Sequence, residues 1–207
     1  DMSSNKQIIG ILGYGSQAQT WAKNLRSNGV NVYILLRKAS ESNKLAEYDK
    51  FPVINLDQNS KKQISSLRIQ YIALLIPDLA HANAINDWKS SFTPKTKIIL
   101  AHGYSVIADN IHEKFPELDF LLLAPKAIAS EMRKLFKLNK TFPGAYSTEY
   151  SKNDESEEKY LLDISKSLGM SSPVNVSFEE ETICDLFSEQ SLLCSLLPYS
   201  IRYAFEA

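Results

Sequence analysis

The sequence predicts an α/β fold, a doubly wound and mostly parallel sheet with helices on both faces, followed by a C-terminal helical segment. Two observations predict it. Apolar, β-branched runs recur at "QIIGILG", "VNVYILL", "FPVIN", "IQYIALLIP", "KIILAHG", "DFLLLAP" and "FPGAYS", with helical patterns between most of them. Alternation of this kind favours parallel strands buried on both faces beneath crossover helices. The second observation is the stretch "GILGYGSQAQTWAKNLRSNG", residues 10–29, where a buried strand breaks at two glycines and continues as an amphipathic helix.

That first helix follows the i, i+3, i+4, i+7 pattern through Ala18, Trp21, Ala22 and Leu25, and Gly29 stands where it should stop. Its start reads Gly13-Tyr14-Gly15-Ser16-Gln17-Ala18, a G-x-G-x-x-A form. A strand that enters a helix through such a turn aims free N–H groups and the positive helix end at one spot, which suits a phosphate. A tight turn without a ligand uses the same glycines. The flanking strand and amphipathic helix supply the context of a Rossmann-like dinucleotide site.

The second strand runs into "LLRKASES" with no acidic residue at its end. An Asp or Glu there would hold a ribose 2′-OH and repel a 2′-phosphate, whereas Arg37, Ser40 and Ser42 suit a phosphate dianion. This loop therefore favours NADP(H) over NAD(H), with Glu41 required to point away. Residues 58–66 and 147–158 are the most polar stretches and read as solvated surface. His102 in "ILAHGY" and Lys126 in "LLLAPK" each follow the end of a parallel strand, where ligands of open α/β sheets bind.

From about Glu180 to Ala207 the pattern is one long helix interrupted only by Pro198. Asp185 and Glu189, four apart, fall on one face of it, a spacing that suits magnesium and that solvated helices also show. Leu186, Phe187, Leu192, Leu193, Leu196 and Leu197 are more apolar residues than one face can hide, so the helix should lie against another domain or subunit. Cys184 and Cys194, ten residues apart, would sit roughly 15 Å from one another on it, too far for a disulfide.

The 207 residues, 44% hydrophobic and 23% charged, suffice for one sizeable core. A net charge of −1 with scattered basic residues argues against nucleic acid or an anionic membrane as partner. The start "DMSSNKQ" is polar, and no apolar run reaches the roughly 18 residues of a membrane span, so a cytoplasmic protein is expected.

Six stretches, "GYGSQAQTWAKNLRSNGV", "LRKASES", "LLIPD", "AHGY", "LAPK" and "ETICDLFSEQSLLC", together resemble ketol-acid reductoisomerase in order and approximate spacing. The resemblance runs from about Ile8 to Ala207. It implies a magnesium-assisted alkyl shift in 2-acetolactate or its ethyl homologue, a small 2-hydroxy-keto acid, followed by reduction with NADPH. It assigns metal binding to Asp185 and Glu189, and ordering of the water and carboxylate network to His102 and Lys126. The cofactor set becomes Gly13, Tyr14, Gly15, Ser16, Gln17, Arg37, Ser40, Ser42, Pro77 and Asp78. It also implies an NADP-binding domain over residues 1–178, the first helix of a further helical domain over 179–207, and a homodimer or higher oligomer.

Two departures stand out. The family follows its lysine with Gly-Pro-Gly-His, where this chain has Ala127-Ile128-Ala129-Ser130. The family also completes its site with two glutamates and a serine from the helical domain, so this polypeptide is expected to bind cofactor and hardly turn over. A reductase of the 2-hydroxyacid or imine type shares the cofactor half without needing the acidic helix, and a non-catalytic NADP-binding module needs neither metal nor substrate.

Overall fold

The computed structural model describes residues 7–57 and 59–206, apart from the side chains of Asp154, Glu189, Gln190, Leu193 and Cys194. All seven sequence-predicted strands form: β1 (Ile8–Leu12), β2 (Asn31–Leu36), β3 (Val53–Asn55), β4 (Tyr71–Leu74), β5 (Lys97–Leu100), β6 (Asp119–Pro125) and β7 (Gly144–Tyr150). A short β8 (Val174–Asn175) joins them in the order β3-β2-β1-β4-β5-β6-β7-β8. The strands from β1 to β6 are parallel to their neighbours, β7 runs antiparallel to β6, and β8 is parallel to β7. The reversal of strand order beside β1 is the switch point of the doubly wound fold, where a crevice opens beyond the carboxyl ends of β1 and β4.

The sheet separates two apolar layers. On one face Ile9 and Ile11 of β1 meet Trp21 and Leu25 of α1 (Ser16–Ser27), with Met132 of α7 (Ala129–Lys137) and Leu161 and Ile164 of α8 (Asp154–Leu168). On the other, Leu12, Ile72 and Phe120 pack beneath α3 (Ser60–Ser66), α4 (His81–Trp88), α5 (Tyr104–Ile107), α6 (Ile111–Lys114) and Phe178 of α9 (Phe178–Asp185). The predicted stripe of Ala18, Trp21, Ala22 and Leu25 is wholly buried. Gly29, with φ of +83°, follows the end of α1 in the left-handed region that favours glycine. The remaining helix of this part, α2 (Glu41–Tyr48), buries only Ala46.

Three expectations need correction. Within the two stretches read as solvated, Ser60, Ile64, Ser147 and Glu157 are buried. Glu157 turns inward because Lys97 lies 3.1 Å from its Oε1 and the Tyr71 hydroxyl donates to its Oε2, a buried partnership between residues far apart in sequence. Gln58 lies outside the described residues. The last helix is not uniform: α9 passes into a π-helical segment over Leu186–Leu196 and then into α10 (Leu197–Glu206). Pro198 does not interrupt it. It stands at the second residue of α10, directly after the π-helical turns, and the first turn of a helix tolerates a proline because its N–H groups need no partner within the helix. Phe187, Leu192, Leu196 and Leu197 are exposed on this segment. No helix among the described residues is long and apolar enough to cross a membrane.

Candidate active site

Two clefts meet over the glycine turn, and Gly15, Leu75, Ile76 and Pro77 border both. The turn is shaped by backbone demands. Gly13 has φ of +103°, and a Cβ there would come within 2.7 Å of the Leu75 carbonyl oxygen. Gly15 is different, because a Cβ on it would meet nothing within 4 Å. It opens α1 as its N-cap without any side-chain capping bond, leaving the first turn's N–H groups facing the clefts. Tyr14 contributes only backbone here: its ring is buried and its hydroxyl donates to Asp49 at 2.8 Å. Burial and that carboxylate both push the phenol well above its usual range.

The outer cleft, about 380 Å³, runs from the turn along the end of β2, with Arg37, Ser40 and Ser42 on one wall and Ala80, Ala84 and Trp88 on the other. Asn43 fixes this loop by donating to the Arg37 carbonyl at 3.1 Å. Ser40 Oγ is buried with no hydrogen-bond partner among the described residues, although Ser40 stands at the N-cap of α2. Glu41 is exposed and lines neither cleft, as the sequence reading required.

The inner cleft, about 500 Å³, is bordered by Ser16 and Gln17 of α1, Pro77 and Asp78 after β4, His102 after β5 and Asp185 of α9. Ala127, Ile128 and Ala129, the segment that replaces the family's glycine-rich run, form part of its wall. The shelf of Ile76, Pro77 and Asp78 is held from beneath by His81, whose Nε2 donates to the Ile76 carbonyl at 3.0 Å and whose Nδ1 accepts from Ser105 at 2.6 Å. Burial pushes the His81 pKa down, so Asp78 at 3.7 Å faces a neutral ring rather than an ion-pair partner.

At the floor, one carboxylate missed in the sequence organises the rest. Glu181 accepts from Lys126 Nζ at 2.6 Å, from the Gly103 N–H at 2.7 Å and from His102 Nδ1 at 2.9 Å, with its side chain 1% exposed. Asp185, one turn on, takes Lys126 Nζ at 2.9 Å and lies 3.3 Å from His102 Nε2. Burial opposes charge on His102, Lys126 and Glu181, and the pairing outweighs it: His102 and Lys126 are pushed up and Glu181 down. The cluster is a partly buried zwitterion around the buried Glu181, with two carboxylates against one ammonium and an imidazole biased toward its cation.

The helix is presented by local sequence. Ser177 caps α9, accepting from the Glu180 N–H at 3.0 Å while Glu180 Oε2 accepts from the Ser177 N–H at 2.8 Å. This capping box was readable in "SFEE". Glu181 was readable too, as the first of three carboxylates spaced by four. Gly103 lets the helix approach, since a Cβ there would lie 2.6 Å from the Phe178 carbonyl oxygen. His102, Glu181 and Asp185 offer ligand atoms within 4.8 Å of one another, a donor set able to hold a metal ion. The structure thus brings Asp185 together with His102 and Lys126; the Glu189 side chain lies outside those described.

Residues 3–172 match the family described as acetohydroxy acid isomeroreductase, NADPH-binding domain. Among curated proteins, the chain is 32% identical over 205 residues to a ketol-acid reductoisomerase (NADP(+)) of Tropheryma whipplei, covering 96% of this chain and 58% of that protein. The protein of the same name from Pseudarthrobacter chlorophenolicus is 33% identical over 205 residues, with 96% and 57% covered. Among solved structures, an NADH-preferring ketol-acid reductoisomerase from an uncultured archean superposes with a TM-score of 0.79 at 25% identity, covering 97% of this chain and 60% of that one. A semialdehyde dehydrogenase NAD-binding protein from Cupriavidus necator, with a TM-score of 0.72 at 14% identity, shares the fold alone. The chain spans somewhat under 60% of the length of these two curated relatives. With the glycine turn, the two clefts and the family match in agreement, the chain belongs to the acetohydroxy acid isomeroreductase family and carries that family's NADPH-binding domain.

Proposed function

We propose that this polypeptide serves an NADPH- and magnesium-dependent ketol-acid reductoisomerase reaction on 2-acetolactate or its ethyl homologue. The observation that carries the reading is the convergence of His102, Lys126 and Asp185 at the inner end of a cleft whose outer end is built for a dinucleotide. The pyrophosphate would lie over Gly15, where there is room for it and where the α1 N–H groups of Ser16 and Gln17 point. The 2′-phosphate would fall to Arg37, Ser42 and the unpartnered hydroxyl of Ser40. Pro77 and Asp78 would carry the cofactor inward to the reaction cleft. NADPH would supply the hydride.

The donor set also fits magnesium, because Asp185 is a hard oxygen donor that borders the inner cleft. Asp185, joined by Glu189, would hold the ion, which supplies Lewis-acid polarisation of the substrate's carbonyl and hydroxyl oxygens. Around it Glu181 fixes Lys126 and His102 in place, so that an ammonium and an imidazole stand ready to bind substrate oxygens and hold a proton there. Two carboxylates are few for a cation that prefers six oxygens, so this chain should bind magnesium only weakly, at about millimolar concentration. We place residues 1–178 as the cofactor-binding domain and 179–207 as the start of a helical domain, with the exposed apolar residues of the last helix covered by such a domain or by a second subunit.

The test uses the natural polypeptide that carries this sequence, assayed for magnesium-dependent NADPH oxidation with 2-acetolactate. Asp185→Asn keeps the shape and removes a charge, and should abolish isomerisation while sparing slow reduction of an already rearranged 2-keto acid. Isomerisation of acetolactate by the Asp185→Asn protein at the normal rate would overturn the reading.

A further inference from the structure

Arg37, the residue placed against the 2′-phosphate, already has a partner across the outer cleft. Its Nη2 lies 3.8 Å from Oδ2 of Asp87. Asp87 belongs to α4, whose Ala84 and Trp88, with Ala80 just before the helix, form the wall facing Arg37. Arg37 lines that cleft, and Asp87, which does not line it, reaches the guanidinium from the helix that supplies Ala84 and Trp88. Both are exposed, and 3.8 Å is longer than a hydrogen bond, so the attraction is Coulombic and each side chain is free to leave. Asp87 is the only carboxylate within 4 Å of Arg37 among the described residues. The other charged groups of this lip, Lys38 and Glu41, sit on Arg37's own side and are exposed.

We infer that Asp87 is a specificity-determining residue for the cofactor, acting as the resident counter-ion that a 2′-phosphate must displace from Arg37. The inference rests on the reading that Arg37 binds this phosphate. A phosphate dianion offers Arg37 shorter, charge-assisted bonds than Asp87 does and so wins the guanidinium, but the Arg37–Asp87 attraction is given up in the exchange. A cofactor without the phosphate leaves the pair intact and gives up nothing. Asp87 thereby narrows the margin between NADPH and NADH without touching either molecule. No aspartate in the strand-end loop is required for this effect, which comes from the helix on the far wall.

Titration of the purified protein with NADPH and NADH, followed by cofactor fluorescence, tests it. Asp87→Asn should tighten NADPH about threefold, the range of an exposed ion pair, and leave NADH within about 1.5-fold. Asp87→Lys should tighten NADPH further, and both gains should shrink in high salt, which screens exposed charges. In an Arg37→Ala background the Asp87→Asn gain should vanish, because the residue acts through Arg37. If Asp87→Asn leaves NADPH unchanged, or tightens both cofactors alike, or keeps its gain without Arg37, the inference is overturned while the Arg37 reading stands. If Arg37→Ala itself leaves the NADPH to NADH ratio unchanged, the Arg37 reading fails and the inference falls with it.

Discussion

The outer and inner clefts share a wall and are built in opposite ways. The outer one is made of backbone: a glycine turn, the open first turn of α1 and a strand-end loop pinned by Asn43. The buried Ser40 hydroxyl there has no hydrogen-bond partner among the described residues, and the exposed Arg37 meets Asp87 only at 3.8 Å. The inner one is made of side chains that satisfy each other, with both Glu181 oxygens and Asp185 taken up by Lys126, His102 and the Gly103 N–H. A backbone site stands ready whether or not its ligand is present. A cluster of mutually paired charges instead needs its members in register, and it links β5, β6 and α9 into one unit as it does so.

That contrast predicts where stability resides. Removing the Glu181 carboxylate leaves the Gly103 N–H without its acceptor and Lys126 with Asp185 as its remaining carboxylate, so Glu181→Ala should cost about 3 kcal/mol and lower the melting temperature by several degrees, while NADPH affinity moves little. A thermal melt within a degree of wild type would break the comparison. Gly103→Ala should come next, at about 2 kcal/mol, because its methyl group would meet the Phe178 carbonyl oxygen and the Thr182 hydroxyl and push α9 from the β5 loop. Its readout is the same melt, with an undisturbed transition as the contradicting result. On the outer side, Arg37→Ala should leave the melt unchanged and weaken NADPH about tenfold, about 1.4 kcal/mol, with NADH affinity kept. Equal loss for the two cofactors would place the phosphate elsewhere.

The same difference explains what the sequence could reveal. The strands and α1 were legible because burial repeats with the period of each element, and Gly13 was legible because a positive φ and a close approach to the Leu75 carbonyl restrict that residue. His102 and Lys126 were found by their place after strands, which the topology forces toward the crevice. Glu181 was overlooked although it stands four residues before Asp185, because that spacing does not by itself tell a buried carboxylate from a solvated one and its partners lie 55 and 79 positions away. Glu157, in the most charged stretch of the chain, was hidden for the same reason, its Lys97 and Tyr71 partners standing on separate strands. Asp87 needed the opposite wall to be in place before its distance from Arg37 meant anything.

The central claim is that the cofactor's pyrophosphate lies over Gly15, on a site formed before any ligand arrives. Gly13 carries the turn's strained conformation, and the space beyond Gly15 is empty of protein, so Gly15→Val should fold and melt like wild type. The measurement is a titration of that variant with NADPH beside the wild-type protein. The account predicts at least a hundredfold loss of affinity, about 2.7 kcal/mol, with the thermal transition kept. A Gly15→Val protein that binds NADPH as tightly as wild type would contradict it.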